Sequence, residues 1–350
     1  MIKDKSIIIK NIYYMLAYAF QALGQPQYDE IASEEFENIH DLFAAILAKG
    51  ALKQLKQGLY REYINEHDNL PVLRGKLDLR GVINNKLQRK QLLWCEYDVL
   101  SANNIFNQII KTTAFVLMKQ TTVNEKHKSS LKKAMLFFSD VDWIDPKSIK
   151  WNMLSFHRNN KDYKILLNIC YFVLGSLLLS TEKGEYKMAT FLDDYNMALL
   201  FEKFVLEYYR YHYPGLRASS LQIAWDVDEG PAEFLPKMQT DIVLRYGPKA
   251  LIIDTKFYTR AMQVQYGTYK FHSDNLYQIF AYVKNMDTEN TGNIEGMLLY
   301  AKTEDTVAKD SDYILQGNKI SVRTLDLNTS FNNISEQLNK IAESFIYKDG

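Results

Sequence analysis

The chain has 350 residues, 47% of them hydrophobic, and its 42 Lys and Arg balance its 42 Asp and Glu, so the formal net charge is zero. This composition excludes disordered, collagen-like and coiled-coil proteins and predicts about two domains, each with its own core. Cys95 and Cys170 are the only cysteines, which excludes a disulfide framework and a cysteine-based zinc site. We therefore expect a protein of the reducing cytoplasm, whose neutral charge disfavours nucleic-acid binding without a local basic surface or a partner.

Charge is unevenly distributed near the N-terminus. The initial stretch MIKDKSIIIKNIYY has an apolar run too short for a signal peptide. Residues 27–41 carry six acidic and no basic residues, whereas residues 49–91 carry ten Lys and Arg against four acids. These segments are interpreted either as solvated faces or as a surface that docks on a partner or guides a phosphate backbone.

The middle of the chain is predicted to be helical. Apolar spacing indicates helices at residues 104–119 and 129–138, and a third helix at residues 161–180. The longest apolar run, Ile165 to Leu179, is shorter than a membrane span and is interpreted as a buried helix. Turn formers and polar residues at 180–187 mark a boundary. We therefore predict an N-terminal α+β domain over residues 1–185, with a helical middle.

Residues 186–350 are predicted to form an α/β domain. Asp193 or Asp194 is suited to cap a helix that ends before Pro214-Gly215. Two further helices are expected near residues 273–284 and 332–345. Runs typical of short strands occur between and after these helices, and the alternation predicts a sheet flanked by helices. The predicted strands are residues 221–227, 238–246, 250–258, 295–301 and 320–325.

Two of these strands, MQTDIVLRY and ALIIDTKFY, are joined by Gly247-Pro248. In a hairpin centred on that pair, positions whose numbers sum to 495 face each other, so Asp241 lies opposite Asp254. Directly opposed side chains lie roughly 5 Å apart on one face, where two carboxylates repel each other unless a cation neutralises them. A divalent cation is one way to neutralise them.

Lys256 follows Asp254 by two positions, and strand alternation therefore places both on the same face. Two carboxylates with an ammonium nearby suit Mg²⁺ and the stabilisation of negative charge on a phosphoryl group. The alternative is a salt bridge of Lys256 with the two aspartates on an exposed face. A one-residue slip in register would separate the two acids.

These residues resemble a known family. Asp241, the strand that follows it and Asp254-Thr255-Lys256 resemble the D…(D/E)-x-K core of the PD-(D/E)xK nucleases. The segments LPKMQTDIVL, LIIDTKFY and KFHSDNLYQIFAYV are similar to the McrC family, the nuclease subunits of McrBC modified-cytosine restriction complexes. NIYYMLAYAF, LRGKLDLRGVI and DVLSANNIFNQIIKTT extend the similarity over nearly the whole chain. The family pattern places a Pro before its first Asp, whereas no Pro directly precedes Asp241. This departure leaves the proposed ligands intact, because the Pro of the pattern is not a ligand.

The resemblance implies a role for each matching residue. Asp241 and Asp254 would be metal ligands, and Lys256 would position the attacking water and stabilise negative charge. Gln278 and Tyr282 resemble a supporting Q-x-x-x-Y element, although polar residues four apart are also common on any amphipathic helix. Glu202 matches an acid that the first helix of many of these nuclease domains directs at the metal. Glu207, on the same helix, is the rival candidate for that place.

The fold that the resemblance implies is a PD-(D/E)xK nuclease domain at residues 186–350, preceded by a domain at residues 1–185 that docks on a motor. The implied function is a DNA endonuclease subunit that uses Mg²⁺, or Mn²⁺ in its place. Its implied partner is an McrB-like AAA+ GTPase hexamer, which recognises double-stranded DNA containing modified cytosine and translocates. No G-x-x-x-x-G-K-[ST] motif is present, so we expect no nucleotide on this chain itself.

Two other functions stay open from the sequence. One is an adaptor that binds the same motor but has lost cleavage, and the intact acidic residues and lysine argue against it. The other is an autonomous repair-type nuclease that needs no motor, and the neutral charge argues against that one.

Overall fold

The computed structural model describes residues 3–4, 7–19, 31, 34–36, 38–157, 160, 163–178, 194–257, 262–265, 268–302 and 310–347. The α-helices in these residues are α1 (Ile9–Ala19), α2 (Ile39–Gln57), α3 (Leu79–Leu87), α4 (Ile105–Lys119), α5 (Glu125–Met135), α6 (Tyr163–Leu178), α7 (Asp194–His212), α8 (Ser273–Met286) and α9 (Phe331–Ile346). The strands are β1 (Lys3–Asp4), β2 (Ile7–Ile8), β3 (Glu62–Leu70), β4 (Lys76–Leu77), β5 (Leu93–Ser101), β6 (Gln222–Ile223), β7 (Met238–Gln239), β8 (Ile242–Tyr246), β9 (Lys249–Lys256), β10 (Met262–Gln265), β11 (Thr268–Phe271), β12 (Ile294–Lys302), β13 (Ser311–Leu315) and β14 (Asn318–Asp326).

The chain forms two compact units. Residues 1–42 and 189–350 make up the first unit, and residues 43–188 make up the second. The sequence-based division at residues 185 and 186 falls outside the described residues and stays a prediction. Residues 1–42, which that division assigned to the N-terminal domain, nevertheless cluster with the C-terminal part of the chain.

A mixed five-stranded sheet forms the centre of the first unit, in the order β13-β14-β12-β9-β8. β8 and β9 are antiparallel, β9, β12 and β14 are parallel, and β13 runs antiparallel at the other edge. Successive residues of a strand point to opposite faces of the sheet. Ile252 and Ile253 of β9 are each fully buried, so both faces of the sheet are covered there. Helix α8 packs on the face that carries Ile252, through Ile279 and Val283.

The N-terminal helix α1 is bound to this unit by polar and aromatic contacts. The buried Asn11 side chain donates hydrogen bonds to the main-chain oxygens of Leu327 and Thr329, at 2.9 and 2.7 Å. Tyr18 Oη lies 2.7 Å from His212 Nε2 at the end of α7. These contacts join segments about 200 to 300 positions apart in the chain, and they explain why residues 1–42 belong to the first unit.

The predicted mixed sheet with flanking helices is confirmed, with differences at the strand ends. The expected strand at residues 221–227 is reduced to β6, and the expected strand at 238–246 is divided into β7 and β8. The division occurs because Thr240 bonds to Leu221, its amide donating to the Leu221 oxygen at 2.9 Å. The edge strand β13 and the hairpin of β10 and β11 were not predicted. Asp193, the alternative helix cap, lies outside the described residues, and α7 begins at Asp194.

The second unit contains a three-stranded antiparallel sheet in the order β3-β5-β4, followed by helices α4, α5 and α6. The predicted helical middle is thus present, although α5 begins at Glu125, before the expected residue 129. A buried polar cluster joins its parts: Asn104 and Asn107 donate to the Tyr60 oxygen, and the Tyr163 hydroxyl donates to Asn107. No helix in the described part of the chain is long and apolar enough to cross a membrane.

Candidate active site

The register of β8 and β9 places the two predicted acids side by side. Ile242 pairs with Ile253 and Tyr246 with Lys249, which is the predicted register in which paired positions sum to 495. Asp241 directly precedes β8 and therefore continues this register towards Asp254. The tight turn requires a left-handed backbone at Gly247, whose φ is +57°.

Asp241 is held by the residue that follows Asp254. Its Oδ2 accepts hydrogen bonds from the Thr255 amide and from the Thr255 hydroxyl, both at 2.7 Å. Both donors belong to one residue and converge on one oxygen, so the rotation of the Asp241 carboxylate is restricted. Sequence reasoning missed Thr255, because its role depends on the chain leaving the sheet at Thr240.

Asp254 is a buried carboxylate whose negative charge is only partly compensated by its surroundings. It is only 1% exposed, and burial raises its pKa to about 6, with a further contribution from the neighbouring charge of Asp241. Lys256 Nζ lies 2.8 Å from Asp254 Oδ2 and opposes that shift. This ion pair does not supply a well-aligned hydrogen bond to the buried Oδ2. The burial excludes the alternative of an exposed surface salt bridge.

A chain of hydrogen bonds fixes Lys256 to helix α8. Lys256 Nζ donates to Gln278 Oε1 at 3.0 Å, and Gln278 Nε2 donates to the Tyr282 hydroxyl at 2.9 Å. The Tyr282 hydroxyl in turn donates to the Gln239 main-chain oxygen at 2.9 Å. Gln278 and Tyr282 therefore contact the site and are not merely polar neighbours on a helix surface.

Glu202 of α7 senses the same charges. Burial raises its pKa to about 7, and the carboxylates of Asp241 and Asp254 add to the shift. Glu207 instead lies 2.7 Å from Arg210, with which it forms an ion pair on its own helix. Of the two rivals, the structure thus brings Glu202 into the electrostatic environment of the site.

The oxygen donors of the site are the carboxylates of Asp241 and Asp254. Among the described residues, no group of three or more His, Cys, Asp and Glu side chains is arranged to hold a metal ion. Mg²⁺ does not require such a group, because it keeps several waters and is commonly bound through one or two carboxylates. Adjacent Asp241 and Asp254, with the incompletely satisfied Asp254 Oδ2, fit such a cation.

Residues 4–301 match the family model described as McrBC 5-methylcytosine restriction system component. The chain is 27% identical over 344 residues to the Escherichia coli (strain K12) protein named Type IV methyl-directed restriction enzyme EcoKMcrBC, covering 97% of this chain and 98% of that protein.

Two solved structures are also similar. One is a half-complex from a tetradecameric assembly of Thermococcus gammatolerans McrB AAA+ hexamers with bound McrC. That likeness has a TM-score of 0.55 at 18% identity and covers 95% of this chain and 76% of that chain, and it supports the fold alone. The other is the Thermococcus gammatolerans McrBC complex, with a TM-score of 0.43, 20% identity and coverage of 57% of this chain and 56% of that chain.

Proposed function

Because the chain belongs to the family of McrBC 5-methylcytosine restriction system components, we propose that it is the DNA-cleaving subunit of such a system. The observation that carries this proposal is the buried Asp254 beside Asp241, with Lys256 Nζ 2.8 Å from Asp254 Oδ2. A buried carboxylate whose charge is not fully compensated is expensive for the fold, and such groups are concentrated at functional sites. We assign the domain that contains it to the PD-(D/E)xK nucleases.

Each residue has a role in phosphodiester hydrolysis. Asp241 and Asp254 hold Mg²⁺, or Mn²⁺ in its place, and this cation supplies electrostatic stabilisation of the phosphoryl oxygens. Lys256, whose side chain is only 14% exposed, positions the attacking water and stabilises negative charge as it develops. An ammonium in a water-poor site does so more effectively than one in bulk water.

Gln278, Tyr282 and Glu202 support these groups. The hydrogen bonds from Lys256 to Gln278 and from Gln278 to Tyr282 hold the ammonium in place at the C-terminal end of β9. Burial and the charges of Asp241 and Asp254 raise the pKa of Glu202 to about 7, and Glu202 adds a third carboxyl group to the electrostatic environment of the site.

The partner is an McrB-like AAA+ GTPase hexamer that recognises DNA containing modified cytosine. The family membership and the name of the Escherichia coli relative support the modified-cytosine target, and the sequence resemblance to the McrC family implies the AAA+ partner. We assign residues 1–185 to docking on that motor, with the compact unit of residues 43–188 as the main element. The complex acts in the cytoplasm, and this chain binds no nucleotide itself.

The test is cleavage of a cytosine-methylated plasmid by the purified chain with Mg²⁺. The reactions contain or lack the co-expressed AAA+ partner and GTP, and an unmethylated plasmid is the substrate control. Cleavage that requires the partner, GTP and methylation is the expected result. Cutting by the chain alone would favour an autonomous nuclease, and stimulation of GTP hydrolysis without any cutting would favour an adaptor.

A further inference from the structure

Thr255 occupies an unusual place in the sheet. In the register of β8 and β9, the residue opposite Thr255 is Thr240, which follows from the paired positions summing to 495. The chain has already turned away there, since the Thr240 amide donates to the Leu221 oxygen at 2.9 Å and the buried Thr240 hydroxyl bonds to that same oxygen. The amide of Thr255 therefore extends beyond the end of the regular β8 ladder.

The Asp241 carboxylate takes the place of the missing main-chain acceptor. Its Oδ2 accepts from the Thr255 amide and the Thr255 hydroxyl, each at 2.7 Å. Hydrogen bonds to a charged acceptor are stronger than those between neutral groups. The amide alone would leave the carboxylate free to swing about its single contact, whereas the second donor defines its orientation.

We infer that Thr255 is a positioning residue for Asp241, with its hydroxyl orienting the carboxylate towards a divalent cation shared with Asp254. This inference rests on the proposed function and adds a residue that the D-x-K pattern leaves unspecified. Carboxylates that bind metals are held by hydrogen bonds from surrounding groups, and loss of such a group typically costs about 10- to 100-fold in metal affinity or activity.

The same chain provides a matched control. Thr291 donates both its amide and its hydroxyl to Asp287 Oδ1, at 3.0 and 2.7 Å. Thr291→Val therefore removes an equivalent hydrogen bond from a carboxylate that is not part of the site. Thr255→Val removes the hydroxyl but keeps the amide and the branched shape, and Thr255→Ser restores the hydroxyl.

The experiment measures Mn²⁺ binding to the full chain by titration calorimetry in the absence of DNA. We expect Thr255→Val to bind about 10- to 100-fold more weakly, and Thr255→Ser and Thr291→Val to bind as the wild type does. The Mg²⁺ concentration for half-maximal cleavage, measured with the partner present, should rise in Thr255→Val but not in Thr255→Ser or Thr291→Val. Thermal unfolding verifies that each variant is folded, and Thr255→Ala is a second hydroxyl-free variant should the valine perturb the sheet.

Equal affinity of folded Thr255→Val, or of Thr255→Ala, and the wild type would overturn the role of the hydroxyl and leave the proposed function standing. Failure of Thr255→Ser to restore binding would also overturn it. Absence of Mn²⁺ binding in the wild type would overturn the proposed metal-dependent function, and this inference with it.

Discussion

Replacing Asp254 by Asn should stabilise the chain at neutral pH when a chelator keeps it free of metal, and this gain should disappear in acid. Asp254 is 1% exposed, and its pKa rises from 3.8 to about 6 on burial. Each pKa unit corresponds to about 1.4 kcal/mol at 25 °C. The ionised carboxylate therefore destabilises the folded chain by about 3 kcal/mol at pH 7.

The direction of the pH dependence of stability follows from the direction in which the Asp254 pKa is shifted. The folded pKa lies above the unfolded value, so the folded state binds the proton more tightly and loses stability as the pH rises from 3.8 to about 6. The cost is fully present above that range and absent below it. Asn carries no charge, so its contact with Lys256 does not change with pH in this range. The weakening of that contact in the variant therefore adds only a constant offset to the difference between variant and wild type.

The assay is urea unfolding of wild type and Asp254→Asn in chelator at several values between about pH 4 and pH 7. The difference in unfolding free energy should change by about 2 kcal/mol in favour of the variant across that range, because part of the cost is already present at pH 4. Asp287→Asn is the control, because hydrogen bonds from Asn318 and Thr291 outweigh burial and lower the Asp287 pKa to about 2. Its difference from wild type should stay flat over the same pH range. A flat difference for Asp254→Asn as well would refute the claim that the buried charge of Asp254 is only partly compensated by Lys256.

Three further substitutions test the packing of the first unit and the support of Lys256. Gly296→Ala should lower the free energy of unfolding by about 1–3 kcal/mol, because its new Cβ would lie 2.8 Å from the Ile279 side chain, and chemical denaturation measures this loss. Asn11→Ala should cost about 1–3 kcal/mol in the same assay, because it leaves the main-chain oxygens of Leu327 and Thr329, just before α9, without their donor. No loss would contradict the assignment of α1 to the first unit. Gln278→Leu should lower the cleavage rate about tenfold without weakening DNA binding, because Lys256 loses its contact with α8. An unchanged rate in single-turnover assays would contradict the role of Gln278 in supporting Lys256.

Much of the sheet could be predicted, because its strands are continuous apolar runs. Residues 249–256 and 294–302 are mostly buried, and both lay within about two positions of their predicted ends. The Gly247-Pro248 turn also fixed the register that brings Asp241 to Asp254. Local pattern and turn chemistry were sufficient there, since adjacent strands of a hairpin need no long-range information.

Other parts of the structure are not indicated by any local pattern in the sequence. β3, Glu62–Leu70, is polar on both faces and mostly exposed, so it shows no alternation of apolar and polar residues. The packing of α1 on α7 joins segments that are distant in the chain, and no periodicity reports such a contact. Thr255 was missed for a related reason, because its partner is determined by where the chain leaves the sheet.

The most direct test of the central claim is a comparison of wild type and Asp254→Ala in two assays on the assembled complex. Cleavage of cytosine-methylated DNA and stimulation of GTP hydrolysis are measured in parallel, with Mg²⁺, GTP and the AAA+ partner. We predict that the variant stimulates GTP hydrolysis as the wild type does but no longer cuts DNA. Cleavage by the variant at the wild-type rate would contradict the assignment of Asp254 to the active site.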